Sequence, residues 1–227
     1  MYQSTISTET AETVTRIKIC GITNADDVRA ACEYGADALG FIFVPESPRY
    51  VGADLSAARR LMHDVPPLVW RIGVFDTPNA DFSGPPELHA VQYYHGSAFQ
   101  SGTFSPYRHT PVPIKAFRVR DAESLKQIVT DTDPKELILL DAYSPKALGG
   151  TGHTFNWELA KEAKHLGLPI ILAGGLTPEN VAEAVVAVRP YMVDVSSGVE
   201  CEPGRKDHDK LRRFIRAVRE ADVALNR

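Results

Sequence analysis

Eight short apolar runs rich in β-branched residues recur along the chain, each bounded by turn-forming or polar residues: TRIKICGI (15–22), DALGFIFV (37–44), VWRIGVFD (69–76), HAVQYY (89–94), VPIKAFRV (112–119), ELILLDAY (136–143), PIILAG (169–174) and YMVDVSS (191–197). Each has the length and composition of a strand. Most of the stretches between them carry helical spacing with a start and a stop. In the first, Thr23 or Asn24 is a cap, Val28, Ala31 and Cys32 share a face, and Gly35 ends the helix. In the seventh, Thr177 caps, Pro178 suits the first turn, and Val181, Ala184, Val185 and Val188 repeat at helical intervals. The eighth turns Leu211, Phe214, Ile215 and Val218 inward and leaves Arg212, Arg213, Arg216 and Arg219 as a solvated outer face. Strand and helix alternating eight times, with no linker to divide them, predicts a single (β/α)8 TIM barrel over 15–227. Residues 1–14 are expected to form a mobile extension. The open doubly wound sheet fits the same alternation, but no G-x-G-x-x-G follows the first strand. Residues 77–88 and 95–111 are rich in Pro, Gly and Ser, so the third and fourth helical segments are expected to be short, distorted or replaced by loop.

Composition removes several classes of function. A net charge of −4 on 227 residues argues against a nucleic-acid-binding face. Cys20, Cys32 and Cys201 form neither a disulfide framework nor a C-x-x-C metal pair, which suits a reducing compartment. The opening MYQSTISTETAETVT has no basic or apolar region of a signal peptide, and no apolar stretch reaches the roughly 18 residues of a spanning helix. A cytoplasmic protein without membrane or nucleic-acid partners is expected.

In such a barrel the active site forms at the carboxyl ends of the strands. Period-2 alternation puts Lys18 and Cys20 on one face of the first strand, pointing into the barrel, while Ile17 and Ile19 face the helices. A thiol in a strand is commonly a small buried hydrophobe. Here the adjacent ammonium favours the thiolate, which can abstract a proton. Barrel closure makes the eighth strand the neighbour of the first, so inward-facing Asp194 is predicted to lie beside Lys18 and keep it charged. Asp141, on the face of Leu137 and Leu139, ends the sixth strand at the same rim. The next helix begins about fifteen residues later, so capping explains it poorly. Glycine-bearing turns follow strands 6, 7 and 8: LGGTGHTFNW, AGGLTPENV and SSGVECEPGRKD. After strands 7 and 8 such turns commonly hold a phosphate. The segment 142–155, with Gly150 and Gly152, is expected to close over a bound sugar.

The pieces KICGIT (18–23), GADALGFIFVPESPRYV (35–51), LLDAY (139–143), GGTGHTFNW (149–157), LAGGLTPENV (172–181), DVSSGVE and GRKD (194–207) together resemble the phosphoribosylanthranilate isomerase family of tryptophan biosynthesis. The resemblance implies a cofactor-free and metal-free Amadori rearrangement, with a phosphosugar amine as the only partner of a monomer or homodimer. On matching positions it implies Asp141 as general acid, Cys20 as general base and Arg49 as the holder of the anthranilate carboxylate. Lys18, Asp194, Gly150 and Gly152 would complete the substrate site, and the backbone of Gly174, Gly175, Ser197 and Gly198 would hold the phosphate. The strand-4 motif departs from the family's Q-L-H-G, reading VQYYHG, so Gln92 and His95 receive no role. Asn156 stands where the family's F-D-W has Asp, an exchange of one helix cap for another. An indole-glycerol-phosphate-synthase-like enzyme would need a lysine and glutamate machinery that is not recognisable here. A non-catalytic phosphosugar-binding barrel would have no use for Cys20 and Asp141.

Overall fold

The structure is a computed structural model describing residues 14–77, 87–95, 111–131, 136–142, 157–164, 167 and 169–227. Eight parallel strands close into a barrel in sequence order: β1 Arg16–Cys20, β2 Ala38–Ile42, β3 Trp70–Phe75, β4 Ala90–Tyr93, β5 Val112–Val119, β6 Leu137–Ala142, β7 Ile170–Ala173 and β8 Met192–Val195. Closure is made by β1 pairing with β8, with Lys18 in register with Asp194. That pairing excludes the open doubly wound sheet. The helices are α1 Ala25–Tyr34, α2 Leu55–His63, α3 Ala122–Asp131, α4 Trp157–Lys164, α5 Val181–Val188 and α6 His208–Leu225. A single 3₁₀ turn at Ser197–Val199 and a hairpin, β9 Glu200–Glu202 with β10 Arg205–Lys206, lead from β8 into α6. Among the described residues no helix lies between β3 and β5. Most of 77–88 and 95–111 lies outside them, as do residues 1–13.

Strand alternation sorts the apolar residues into two layers. Ile17, Ile19, Leu39, Leu140, Leu172 and Val193 face outward and pack under the helices against Val28, Val185, Leu211 and Phe214. Each such fully buried aliphatic side chain contributes about 1.5–3 kcal/mol of transfer free energy. The inward set is smaller: Ala38, Ile72, Ala90, Ile114, Ala116, Leu139, Ile171 and Met192 fill the barrel's interior. Small side chains there leave room for the long polar ones described below.

Local signals explain the helix ends with two corrections. Asn24 caps α1, accepting from the Asp27 N–H at 2.9 Å, and Gly35 stops it at φ 101°. Thr177 accepts from the Glu179 N–H at 3.2 Å as a cap would, but it closes a separate turn. Helix α5 begins at Val181, three residues beyond Pro178, because Asn180 folds back to accept from the Thr177 N–H at 2.8 Å. On α6, Arg212, Arg213 and Arg216 form surface pairs with Asp209, Glu179 and Glu220. Arg219 is not part of that solvated face. It donates to the Thr15 carbonyl at 2.7 Å and to Asp37 Oδ2 at 2.9 Å, fastening the last helix beneath β1 and β2.

Candidate active site

A cavity of ≈ 380 Å³ opens at the carboxyl ends of the strands, within the size range of small-molecule sites. Its polar walls are Cys20, Arg49, Gln92, Tyr94, Asp141 and Asp194, with the turns Gly174–Leu176 and Ser196–Gly198 along one side.

On the β1 side, Lys18 is fully buried and donates to Asp194 Oδ2 at 2.8 Å and to Gln92 Oε1 at 2.7 Å. Burial alone would lower the ammonium's pKa. The Asp194 carboxylate and the Cys20 thiolate more than offset that, and the Lys18 pKa lies above its ordinary value. Asp194 therefore keeps Lys18 charged, as expected. The thiol behaves otherwise. Burial pushes Cys20 up from its ordinary value, and this outweighs the downward pull of Lys18 and, more weakly, of Lys206. The expectation that the lysine leaves a lowered thiol pKa is thus corrected: the cation opposes desolvation without overcoming it.

Two residues that sequence reasoning passed over shape this end. Lys206 is buried and donates to the carbonyl of Cys20 at 2.6 Å and of Ser196 at 3.3 Å, tying the ends of β1 and β8 together. Gly40 on β2 faces the interior beside them. A Cβ there would lie 2.8 Å from the Cys20 Sγ and 3.2 Å from the Lys18 Cε. Gly40→Ala is therefore expected to displace the thiol and lower kcat, by about 10²-fold if the shift approaches 1 Å. Steady-state kinetics beside circular dichroism checks this, and wild-type kcat in the folded variant would contradict it.

On the β6 side, Asp141 lies in the cavity wall, and the next helix among the described residues, α4, begins at Trp157. Burial, and secondarily the charge of Asp194, raises its pKa; a hydrogen bond from Tyr94 Oη, the Arg118 guanidinium and Lys18 act the other way. The carboxyl is thereby biased toward holding a proton.

Arg49 is not an exposed surface pair. Its Nε and Nη2 donate to the two oxygens of Glu200 at 2.8 and 2.5 Å, which raises the guanidinium pKa and orients it along the cavity. Glu200 is held in turn by Lys206 Nζ at 2.9 Å, and its pKa is lowered: burial pushes it up, but the bonds from Arg49 and Lys206 prevail. On the opposite turns, Gly174 and Gly175 take φ of 85° and 65°, and a Cβ on Gly198 would meet the Leu176 carbonyl at 1.9 Å. Glycine is required at these turns, and their backbone borders the cavity with Ser197. His95 is largely exposed, 3.8 Å from the Asp76 carboxylate. Gly150, Gly152, Asn156 and the 143–155 part of the expected closing segment lie outside the described residues. Period-2 alternation continued through VQYYHG would have turned Gln92 and Tyr94 inward together. Glu200 and Lys206 carry no such signal.

The profile of the N-(5'-phosphoribosyl)anthranilate isomerase family matches residues 17–217. The chain belongs to that family. Its similarity to the N-(5'-phosphoribosyl)anthranilate isomerase of Geobacter sulfurreducens is 49% identity over 208 residues, 90% of this chain and 98% of that one. Among solved structures, phosphoribosylanthranilate isomerase from Thermotoga maritima aligns with TM-score 0.75 and 37% identity, over 91% of this chain and all of that one. A phosphoribosylanthranilate isomerase in complex with reduced 1-(o-carboxyphenylamino)-1-deoxyribulose 5-phosphate aligns with TM-score 0.73 and 35% identity over the same shares. The protein is an isomerase of the phosphoribosylanthranilate isomerase family with that family's barrel. Among the described residues no helix is long and apolar enough to cross a membrane.

Proposed function

We propose that the chain converts N-(5'-phosphoribosyl)anthranilate to 1-(2-carboxyphenylamino)-1-deoxyribulose 5-phosphate, an Amadori step of tryptophan biosynthesis, with Asp141 as general acid and Cys20 as general base. The observation that carries this reading is that both residues border one cavity from separated strands, β6 and β1, so a sugar between them can be protonated on one side and deprotonated on the other. The raised pKa of Asp141 enlarges its protonated share at any given pH, which suits a general acid. It donates that proton to the furanose ring oxygen as the C1'–O bond breaks, leaving a protonated Schiff base. The Cys20 thiolate then takes the C2' proton, and the electron pair moves into the C1'–C2' bond to give an enolamine. Protonation at C1' and loss of the O2' proton yield the ketone, so the reaction is redox-neutral overall. A thiol whose pKa lies above its ordinary value is the minority base at rest, but each thiolate is correspondingly more basic.

Arg49 would receive the anthranilate carboxylate through Nη1, which Glu200 leaves without a partner among the described residues. Backbone amides of Gly174, Gly175, Ser197 and Gly198 would hold the phosphate at the turns after β7 and β8. The test is decay of anthranilate fluorescence with freshly generated phosphoribosylanthranilate; enzyme-dependent loss of signal supports the reading, and no acceleration over the spontaneous rate overturns it.

Lys18 supplies a pH prediction. Its ammonium pulls the thiol pKa down against burial, so Lys18→Met should raise that pKa and move the acidic limb of the kcat/KM profile to higher pH. Removing it also leaves Asp194 buried without its cation, at a cost of about 3–5 kcal/mol. Adding Asp194→Asn should recover part of that stability. An acidic limb left in place in a folded Lys18→Met enzyme would make the ion pair structural only.

A further inference from the structure

Tyr94 stands immediately after β4, its N–H donating to the Asp76 carbonyl at 3.1 Å. Its ring lines the cavity, and its Oη donates to Asp141 Oδ2 at 3.3 Å. The Arg118 guanidinium lies 5.0 Å from the ring centroid, on a β5 residue in register with Asp141. We infer that Tyr94 is a positioning residue for the general acid: by donating to Oδ2 it confines the transferable proton of Asp141 to Oδ1 and then stabilises the carboxylate left when that proton moves to the substrate. The inference rests on the general-acid role of Asp141 proposed above.

A carboxylic acid carries its proton on either of two equivalent oxygens, and only one of them faces the reacting atom. A fixed donor on Oδ2 makes that oxygen an acceptor and removes the equivalence. Tyr94 keeps the hydrogen with which it donates to Asp141. Burial, and then the charges of Asp141, Cys20 and Asp194, push the phenol far above its ordinary pKa, so it does not ionise in any range in which the enzyme is assayed. The cation over its ring polarises the phenol further in the sense of donation. A length of 3.3 Å is long for this kind of bond, as catalytic hydrogen bonds often are before substrate binds. When Asp141 gives up its proton, the acceptor becomes charged and the bond strengthens. Tyr94 thus contributes more after proton transfer than before it, which is the condition for raising kcat instead of tightening ground-state binding.

Among the described residues, the charged or titratable groups acting on Asp141 are Asp194 from β8, Lys18 from β1, Arg118 from β5 and Tyr94 itself; β7 presents only Ala173 beside it. Asp194 raises the Asp141 pKa, and the other three lower it. Removing the phenolic hydroxyl alone takes away one lowering influence and no charge, so the pKa of the acid should rise.

Tyr94→Phe tests this with the ring and its contact with Arg118 retained. The expected result is a fall in kcat of about 10- to 100-fold, the fold-change that corresponds to losing a hydrogen bond to a charged group. KM should change little, and the alkaline limb of the kcat/KM profile should move to higher pH. In an Asp141→Asn background the same substitution should have no further effect on kcat. A folded Tyr94→Phe enzyme with wild-type kcat and an unmoved alkaline limb, beside an inactive Asp141→Asn enzyme, overturns the role of Tyr94 alone. Wild-type turnover by Asp141→Asn overturns the acid assignment and this inference with it. A change confined to KM or to thermal stability would make Tyr94 a wall of the pocket and likewise overturn its positioning role.

Discussion

Asp141→Asn is expected to lose turnover by several orders of magnitude while becoming more resistant to heat. The activity loss follows because an amide cannot protonate the furanose oxygen; general acid catalysis alone contributes about 10² to 10⁴. The stability gain follows from linkage. The folded-state pKa of Asp141 is raised by burial above its unfolded value, so the carboxyl favours the fold only while protonated. That contribution is complete below the ordinary carboxylate range and is lost as pH rises through the raised value. At neutral pH the ionised form is a net cost, which asparagine removes while still accepting from Tyr94. The Tm difference should therefore be positive at pH 7 and vanish in acid. A variant with near-wild-type kcat would take Asp141 out of the mechanism, and one with a lowered Tm at pH 7 would contradict the sign of the shift.

Cys20→Ser is expected to have a comparable effect on kcat, again about 10² to 10⁴, with the fold retained. The hydroxyl is nearly isosteric with the thiol and remains beside Lys18, so the buried ion pair with Asp194 keeps its geometry. What is lost is basicity at an accessible pH, since a hydroxyl in the same buried position ionises far less readily than a thiol. Single-turnover kinetics with freshly generated substrate would read this directly. Full activity of the serine enzyme would return Cys20 to a packing role beside Gly40. The two substitutions also separate the halves of the reaction: one removes the proton donated at ring opening, the other the base that acts at C2'.

The barrel and much of its site were legible in the amino-acid order because they rest on local periodicities. Alternation of two residues in RIKIC and LILLDA sends Lys18, Cys20 and Asp141 inward and Ile17, Ile19 and Leu140 under the helices, whatever the rest of the chain does. Barrel closure then places Asp194 opposite Lys18, and they meet in register. The inward placement of Cys20 and Asp141 and the meeting of Lys18 with Asp194 therefore follow from strand number and parity, while the acid and base roles come from the family resemblance. The tertiary structure decided what depends on neighbours far away in sequence. Gln92 meets Lys18 across 74 residues, Tyr94 meets Asp141 across 47, and Glu200 holds Arg49 across 151, none of them pairs that a repeating pattern can name. The protonation bias of the thiol belongs to the same class. Lys18 beside Cys20 reads as a lowering influence in the sequence, but desolvation is the sum over everything packed around the sulfur, and in the folded barrel that sum prevails.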